Sequence, residues 1–184
     1  MTACDAWLCD KRQSFAAGLI SMLAFYAVPA VHAAEPTSVK IAVFAFELDD
    51  RSAGGGIVEQ DATDVESLKG ATEEARRLLA GSGRYSLVDV AGAVDELQSS
   101  DGIRHCNGCE ASLAGKLGAD RSLAGIITRI TRTEYTLQIV VRDARSGAVL
   151  SNDFTGLRMG ANYSWPRGVK WLMNKGILSA SSAR

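Results

Sequence analysis

Two cysteines three positions apart, Cys106 and Cys109, are the residues of this chain best equipped for chemistry. They lie in the run His105-Cys106-Asn107-Gly108-Cys109-Glu110. A pair this close can close a disulfide, carry electrons by thiol–disulfide exchange, or offer two thiolates to a metal. Cys109 falls at the expected start of a helix, where the dipole favours a thiolate. The usual redox arrangement puts the attacking cysteine first and directly after a strand. Here the pair follows a polar loop and Cys106 stays outside the helix. In an oxidising compartment a lone close pair is most simply a disulfide, structural or redox-active. Zinc would need two further ligands. His105 is adjacent, but the only other histidine is His32, so carboxylates would have to complete the set. Glu110, not histidine, follows the second cysteine, which argues against covalent haem.

A second group is acidic. Glu47, Asp49, Asp50, Glu59, Asp61 and Asp64 flank the glycine-rich loop Ala53-Gly54-Gly55-Gly56. Oxygen ligands of this kind suit a hard cation such as calcium, and Glu47, Asp49, Asp50 and Asp61 are the candidate ligands. Their spacing does not follow the EF-hand pattern, and a solvated loop is the plainer reading. No lysine and Ser/Thr pair follows the glycines, so a P-loop is discounted. There is no Gly-x-Ser-x-Gly elbow, and His105 sits beside the cysteines, so a Ser-His-Asp triad has little behind it. Carboxylate-pair catalysis has no pair singled out by spacing. The expectation is no catalytic residue, no resident metal and no cofactor.

A third group lies near the carboxyl terminus. Over Ser164 to Leu178 the spacing predicts a helix, with Ser164 as cap and Pro166 in its first turn. Trp165, Val169, Leu172, Met173 and Gly176 share one side. Trp171 and Leu178 project to the other, beside Arg167 and Lys170. Tryptophan with neighbouring arginine is the composition of binding hot spots, so Trp171, Leu178, Arg167 and Lys170 are the candidate partner contacts. The alternative is a helix buried on two sides.

The elements that position these groups follow from periodicity. Val39 to Phe46 is almost continuously apolar, as in a central strand covered on both faces. Thr63 to Ala80 reads as a helix, with Thr63-Asp64-Val65-Glu66 as a capping box and Val65, Leu68, Thr72, Ala75 and Leu79 as its inner face. Gly81 and Gly83 end it. Tyr85 to Val90 is a strand, Gly92 to Gln98 a short helix, and Cys109 to Leu117 a helix ended by Gly118. Leu123 to Thr131 is a third strand. Tyr135 to Val141 alternates apolar and polar residues, and Arg145-Ser146-Gly147 turns it into Val149 to Leu157, an antiparallel edge strand. The order β-α-β-α-α-β-β-β-α predicts an α/β (α+β) domain: one mixed sheet of about five strands with helices packed against it.

Residues 1–33 read as a secretory signal peptide. Lys11 and Arg12 form its positive region, Phe15 to Val31 its apolar core, and Val31-His32-Ala33 a cleavage site before Ala34. An uncleaved anchor is the alternative. Cleavage would leave a single periplasmic domain, 34–184, keeping only Cys106 and Cys109 of the four cysteines, with no further apolar segment long enough to span a bilayer. The formal net charge of −1 lacks the basic excess of a nucleic-acid binder.

Short motifs carry a resemblance. Ile41-Ala42-Val43-Phe44, Leu117-Gly118-Ala119-Asp120 running into Leu123-Ala124-Gly125-Ile126-Ile127, and Val141 to Val149 resemble the TolB amino-terminal domain, the curli secretion protein CsgG and the penicillin-binding-protein activator LpoB. Val43-Phe44-x-Phe46-Glu47-Leu48, the Cys106-Asn107-Gly108-Cys109-Glu110 loop and Ser164-Trp165 resemble an uncharacterised family of exported proteobacterial proteins. Ala45 stands where that family often carries Asp. The chain differs from the larger relatives in lacking a propeller after residue 184, a lipid-anchor cysteine after the apolar run, and the hairpins of a channel. The resemblance implies a periplasmic, non-catalytic accessory domain that binds another periplasmic or envelope protein. A thiol–disulfide protein using Cys106 and Cys109, and a cation- or small-ligand-binding domain using residues 47–64, are the alternatives.

Overall fold

Val39–Val43 forms strand β1, and each side of it is buried under a different core. A computed structural model describes residues 38–57, 60–99, 102–158 and 165–179. The signal-peptide reading, Glu59 and the Ser164 cap lie outside the described residues. The remaining elements are β2 (Glu47–Asp50), α1 (Ala62–Gly81), β3 (Tyr85–Val88), α2 (Val94–Ser99), α3 (Cys109–Lys116), β4 (Arg121–Arg129), β5 (Glu134–Asp143), β6 (Val149–Arg158) and α4 (Trp165–Lys175). Short 3-10 turns precede α2 and α3.

The strands make one mixed sheet in the order β3-β1-β4-β5-β6, with β2 also pairing β4. β1 is parallel to β3 and β4, β2 is parallel to β4, and β4, β5 and β6 form an antiparallel meander. The mixed α/β architecture, the antiparallel hairpin and the edge position of the last strand match the sequence reading. The strand count is six rather than five, because the expected strand from Val39 to Phe46 stops at Val43 and resumes at Glu47.

That break is a one-residue bulge. Val43 pairs with Leu123, and Glu47 pairs with Ile126. Three residues, Phe44 to Phe46, therefore face two, Ala124 and Gly125. An odd extra residue reverses which side chains point to which face. Ile41 and Val43 point to the helix α1/α4 side, but so do Phe46 and Leu48. Ala42 and Phe44 point to the opposite side, with α3. Helix α1 holds the irregular backbone: the Phe46 amide donates to the Thr72 hydroxyl at 2.9 Å, and Arg76 donates to the Val43 carbonyl at 3.1 Å. Phe46 fits because Gly125 lacks a side chain. A Cβ there would sit 2.4 Å from the Phe46 ring.

Helix α1 differs from the sequence reading at its start. Asp61, not Thr63, is the cap, accepting from the Asp64 amide at 2.8 Å. Its inner face carries Asp64, Ala71, Thr72, Ala75 and Leu79, with Leu68 partly buried, whereas Val65 is exposed. The difference is confined to the first turn, where Asp64, paired with Arg129 of β4, takes the inward position in place of Val65. Helix α4 packs on α1 and β6 through Trp165, Val169, Leu172 and Met173. The opposite face is covered over β1 and β4 by α3 and its neighbouring turns. Over β5 and β6 it is open, leaving Phe154 exposed.

Substituting Gly125→Ala should overpack the Phe46 contact and cost about 1–3 kcal/mol, read as a lowered urea midpoint. Adding Phe46→Leu should recover part of that loss, because the two positions share one volume. Strict additivity of the two changes would contradict the contact.

Candidate functional site

The reversal at the bulge sends Glu47 to the α3 side and Asp50 to the α1 side, and each organises a separate cluster. Glu47 reaches the loop that carries the cysteines. Its carboxylate accepts from the Ile103 amide at 2.7 Å and the Arg104 amide at 3.1 Å. Gly102 makes the approach possible, since a Cβ there would lie 2.8 Å from the Glu47 oxygens. Arg104 donates back to the Leu48 carbonyl at 2.7 Å. The chain then runs through Cys106, Asn107 and Gly108, the last two with positive φ of 45° and 105°, into Cys109, the first residue of α3. Cys106 and Cys109 are joined in a disulfide with Cα atoms 5.4 Å apart, and both are half-buried. His105 is exposed, and its Nε2 accepts from Arg104 Nε at 2.9 Å.

Directly behind the disulfide lies Glu110, only 3 % exposed. Its Oε1 accepts from Arg142 Nε at 2.9 Å, and Arg142 also donates to the Gly147 carbonyl at 3.1 Å. Oε2 is buried and has no hydrogen-bond partner among the described residues. A Glu110 carboxylate oxygen and the two cysteine sulfurs lie within 4.8 Å of one another. Glu110 and Arg142 were not singled out by the sequence. The available signal was a carboxylate in the first turn of a helix otherwise rich in alanine, directly after a cysteine.

Asp50 joins the second cluster, around Arg129 at the end of β4. Arg129 donates to Asp50 at 2.9 Å, to both oxygens of Asp64, and to the Tyr135 hydroxyl at 3.2 Å. Its guanidinium lies 5.5 Å from the Tyr135 ring centre. Burial alone would lower the Arg129 pKa, but the hydrogen bonds it donates to Asp64, Tyr135 and Asp50 outweigh burial and raise it. Asp50 is held below the ordinary carboxylate value, chiefly by hydrogen bonding to Ser52 and against the effect of burial, with Arg129 adding to the lowering. An open cavity of about 810 Å³ borders this cluster, lined by Asp50, Asp61, Arg129, Arg132 and Tyr135 among others.

The acidic residues picked out from the sequence therefore do not converge. Glu47 holds the cysteine loop, Asp49 pairs with Arg51 at 2.7 Å, Asp50 and Asp64 pair with Arg129, and Asp61 caps α1. Among the described residues, the cysteine pair with Glu110 is the one group of at least three such side chains close enough to share an ion.

The candidate contacts near the carboxyl terminus separate as well. Trp171 is 51 % exposed, with the Lys175 ammonium 4.8 Å from its ring centre. Arg167 and Lys170 are also exposed. Leu178 does not project outward with Trp171. It lies beyond the end of α4, where it packs partly against the core and its carbonyl accepts from Arg84 at 2.8 Å. The Lys170 charge acts on Glu74, and Pro166 abuts Gly70, so that flank of α4 faces α1. Trp171 and Lys175 lie roughly 100° or more further round, and α4 also packs on β6, the last strand at the sheet edge. That edge carries exposed Val149, Leu150 and Phe154. Leu150 is the extra residue of a second bulge, since Ser151 pairs with Val141 and Val149 with Arg142.

The chain belongs to the family DUF3280, described as "Protein of unknown function (DUF2380)", whose model matches residues 39–177. No curated protein sequence matches the chain. Among solved structures it is similar to lipoprotein GNA1162 from Neisseria meningitidis, at 16 % identity over 79 % of this chain and 97 % of that one, with a TM-score of 0.49. It is similar to the LpoB C-terminal domain from Escherichia coli, at 15 % identity over 68 % and 87 %, with a TM-score of 0.47. It is also similar to TolB from Acinetobacter baumannii, at 17 % identity over 72 % of this chain and 25 % of that one, with a TM-score of 0.41. No helix among the described residues is long and apolar enough to cross a membrane.

Arg129→Ala should cost about 3 kcal/mol, because it strands Asp64 and Asp50 without their cation; a loss below roughly 0.5 kcal/mol would show that solvent replaces Arg129. The lowered Asp50 pKa has a fixed sign. Its contribution is complete above the ordinary carboxylate value of about 4 and is lost as the pH falls through the lower folded value. Thermal melts of Asp50→Asn should accordingly show a shallower acid decline than wild type.

Proposed function

We infer that this chain is a protein-binding accessory domain of the bacterial cell envelope, exported by residues 1–33 and working from the periplasm. The observation that carries the reading is the free edge of β6. Ten residues, Val149–Arg158, pair on one side with β5, and no described strand pairs with the other. An open edge of that length is a template for an added strand, with main-chain hydrogen bonds giving affinity and side chains giving selectivity. Proteins usually guard such edges with charge, yet Val149, Leu150 and Phe154 are exposed there. Trp171 is exposed on α4, which packs on β6, and offers an aromatic anchor of the kind that dominates binding energy.

The occupant this edge fits is an extended segment of another envelope protein. It adds to β6 through its backbone and places apolar side chains beside Phe154 and Trp171. Arg167 and Lys170 stand on the neighbouring surface of α4 and would favour an acidic flank. Leu178 is given to the fold rather than to the partner. The cation-binding alternative has less support, because Asp50 and Asp64 already neutralise Arg129.

A photo-reactive residue in place of Phe154 should capture one discrete partner in cells, and Trp171→Ala should weaken that capture. The same probe in place of Ser86, on the opposite sheet edge, should not give the product. Equal products from both edges would overturn the reading. Trp171→Ala should itself cost less than about 1 kcal/mol; a large fall in melting temperature would make Trp171 a structural residue. The exported protein should begin at Ala34 by mass.

A further inference from the structure

We propose that the Cys106–Cys109 disulfide is exchange-active: it oxidises the paired thiols of a dithiol peptide, and Glu110 is the buried group that handles the proton at Cys109. Three features of the loop point there, and a purely structural staple requires none of them.

The first is Glu110 itself. It is a carboxylate removed from water, with Oε1 held by Arg142 and Oε2 without a hydrogen-bond partner among the described residues, and one of its oxygens lies within 4.8 Å of both sulfurs. Burying a polar oxygen unpaired is costly, so its retention calls for a reason. The ability to accept or return a proton beside a thiol is such a reason. The second is positive charge. Cys109 is the first residue of α3, at the positive end of the helix dipole. The Arg142 guanidinium lies against Gly108, where a Cβ would be 3.5 Å from its central carbon. Both favour a thiolate. The third is the independent anchor on the preceding segment. Glu47 holds the Ile103 and Arg104 amides through hydrogen bonds that do not involve the sulfurs, so the loop has a tie besides the disulfide.

The sequence of bonds follows from which thiolate leaves better. A peptide thiolate attacks the Cys106 sulfur, forming a mixed disulfide. The Cys106–Cys109 bond breaks, and its electron pair stays on Cys109 at the start of α3, the better leaving group. The second peptide thiol loses its proton and attacks the first peptide sulfur, which closes the peptide disulfide and expels Cys106 as thiolate. The peptide has lost two electrons and two protons. The electrons reside on Cys106 and Cys109, and the two protons end on the same two sulfurs, with Glu110 passing the one exchanged at Cys109. A disulfide-bearing protein restores the oxidised pair by the same two exchanges in reverse.

The test mixes the purified full chain in its oxidised form with one equivalent of a reduced synthetic peptide holding two cysteines, and follows peptide oxidation against pH. Wild type should oxidise the peptide and retain its melting temperature once reduced. Glu110→Gln keeps the size of the side chain and an oxygen for Arg142. It should slow the exchange at least about tenfold near neutral pH and alter the pH profile, with Glu110→Asp recovering part of the rate. Cys106→Ser should abolish it. A peptide left reduced by wild type, or a wild-type fold that melts on reduction, would overturn the proposal without recourse to any variant. Glu110→Gln matching wild type within twofold at every pH would remove Glu110 from it.

Discussion

The geometry of this domain turns on one residue too many in its first strand. Phe44 to Phe46 oppose only Ala124 and Gly125, so the strand that resumes at Glu47 has exchanged its faces. Without that exchange Glu47 would point at α1 and Asp50 away from it. With it, Glu47 reaches the cysteine loop, and Asp50 meets Arg129 and Asp64. A bulge in a central strand exposes backbone groups that the ladder no longer serves. Thr72 and Arg76 supply the missing partners from α1. The irregular segment is thus specified from both sides: by two polar side chains on the helix and by an absent side chain at Gly125. Burying Phe46 over that glycine is worth about 2–3 kcal/mol, of the same order as the disruption it accompanies.

The two clusters that the bulge creates differ in kind. Around Arg129, two carboxylates and a phenol satisfy one guanidinium, and the whole joins α1, β2, β4 and β5 at one end of the sheet. Arg129 is its keystone, since removing it leaves two carboxylates half-buried without their cation. Around Glu110 the pairing is incomplete. One guanidinium serves one oxygen, the other oxygen has no hydrogen-bond partner among the described residues, and the carboxylate lies beside the sulfurs. Satisfied networks hold structure, whereas a dissatisfied group beside reactive atoms is where chemistry is stored. This difference in satisfaction, more than the Cys-x-x-Cys spacing, separates the cysteine loop from the rest of the molecule.

Much of the fold was legible because its signals are local. The alternation from Tyr135 to Val141 and the Arg145-Ser146-Gly147 turn needed no knowledge of distant residues to give β5 and β6. The helix ends at Gly81 and Gly118 were equally local. The bulge was not legible, because eight nearly apolar residues read the same whether or not the parity changes within them. The start of α1 was misplaced for a related reason. Thr63 and Glu66 make a good capping box in isolation, but Asp61 takes the cap, and Asp64, paired with Arg129 65 positions away, faces inward while Val65 meets solvent. Leu178 was assigned outward by extending a helical wheel past Lys175, where α4 stops. In each case a long-range partner or an element boundary decided what periodicity alone could not.

The layers on the two faces of the sheet are unequal, and the inequality localises recognition. On one face α1 and α4 cover the sheet from β1 to β6. On the other, α3 and its turns cover β1 and β4, and coverage ends at Arg142 and Ala144. Beyond that line, β5 and β6 present Gln138 bonded to Asn152, with Phe154 exposed beside them. The last covered strand position on this face belongs to Arg142, which also carries Glu110 and abuts Gly108. A segment added along β6 would run past Val149, the residue paired with Arg142. The free edge and the cysteine loop are therefore one strand apart, joined through a single arginine. A peptide bound along that edge would approach the residue that holds Glu110 in place beside the sulfurs.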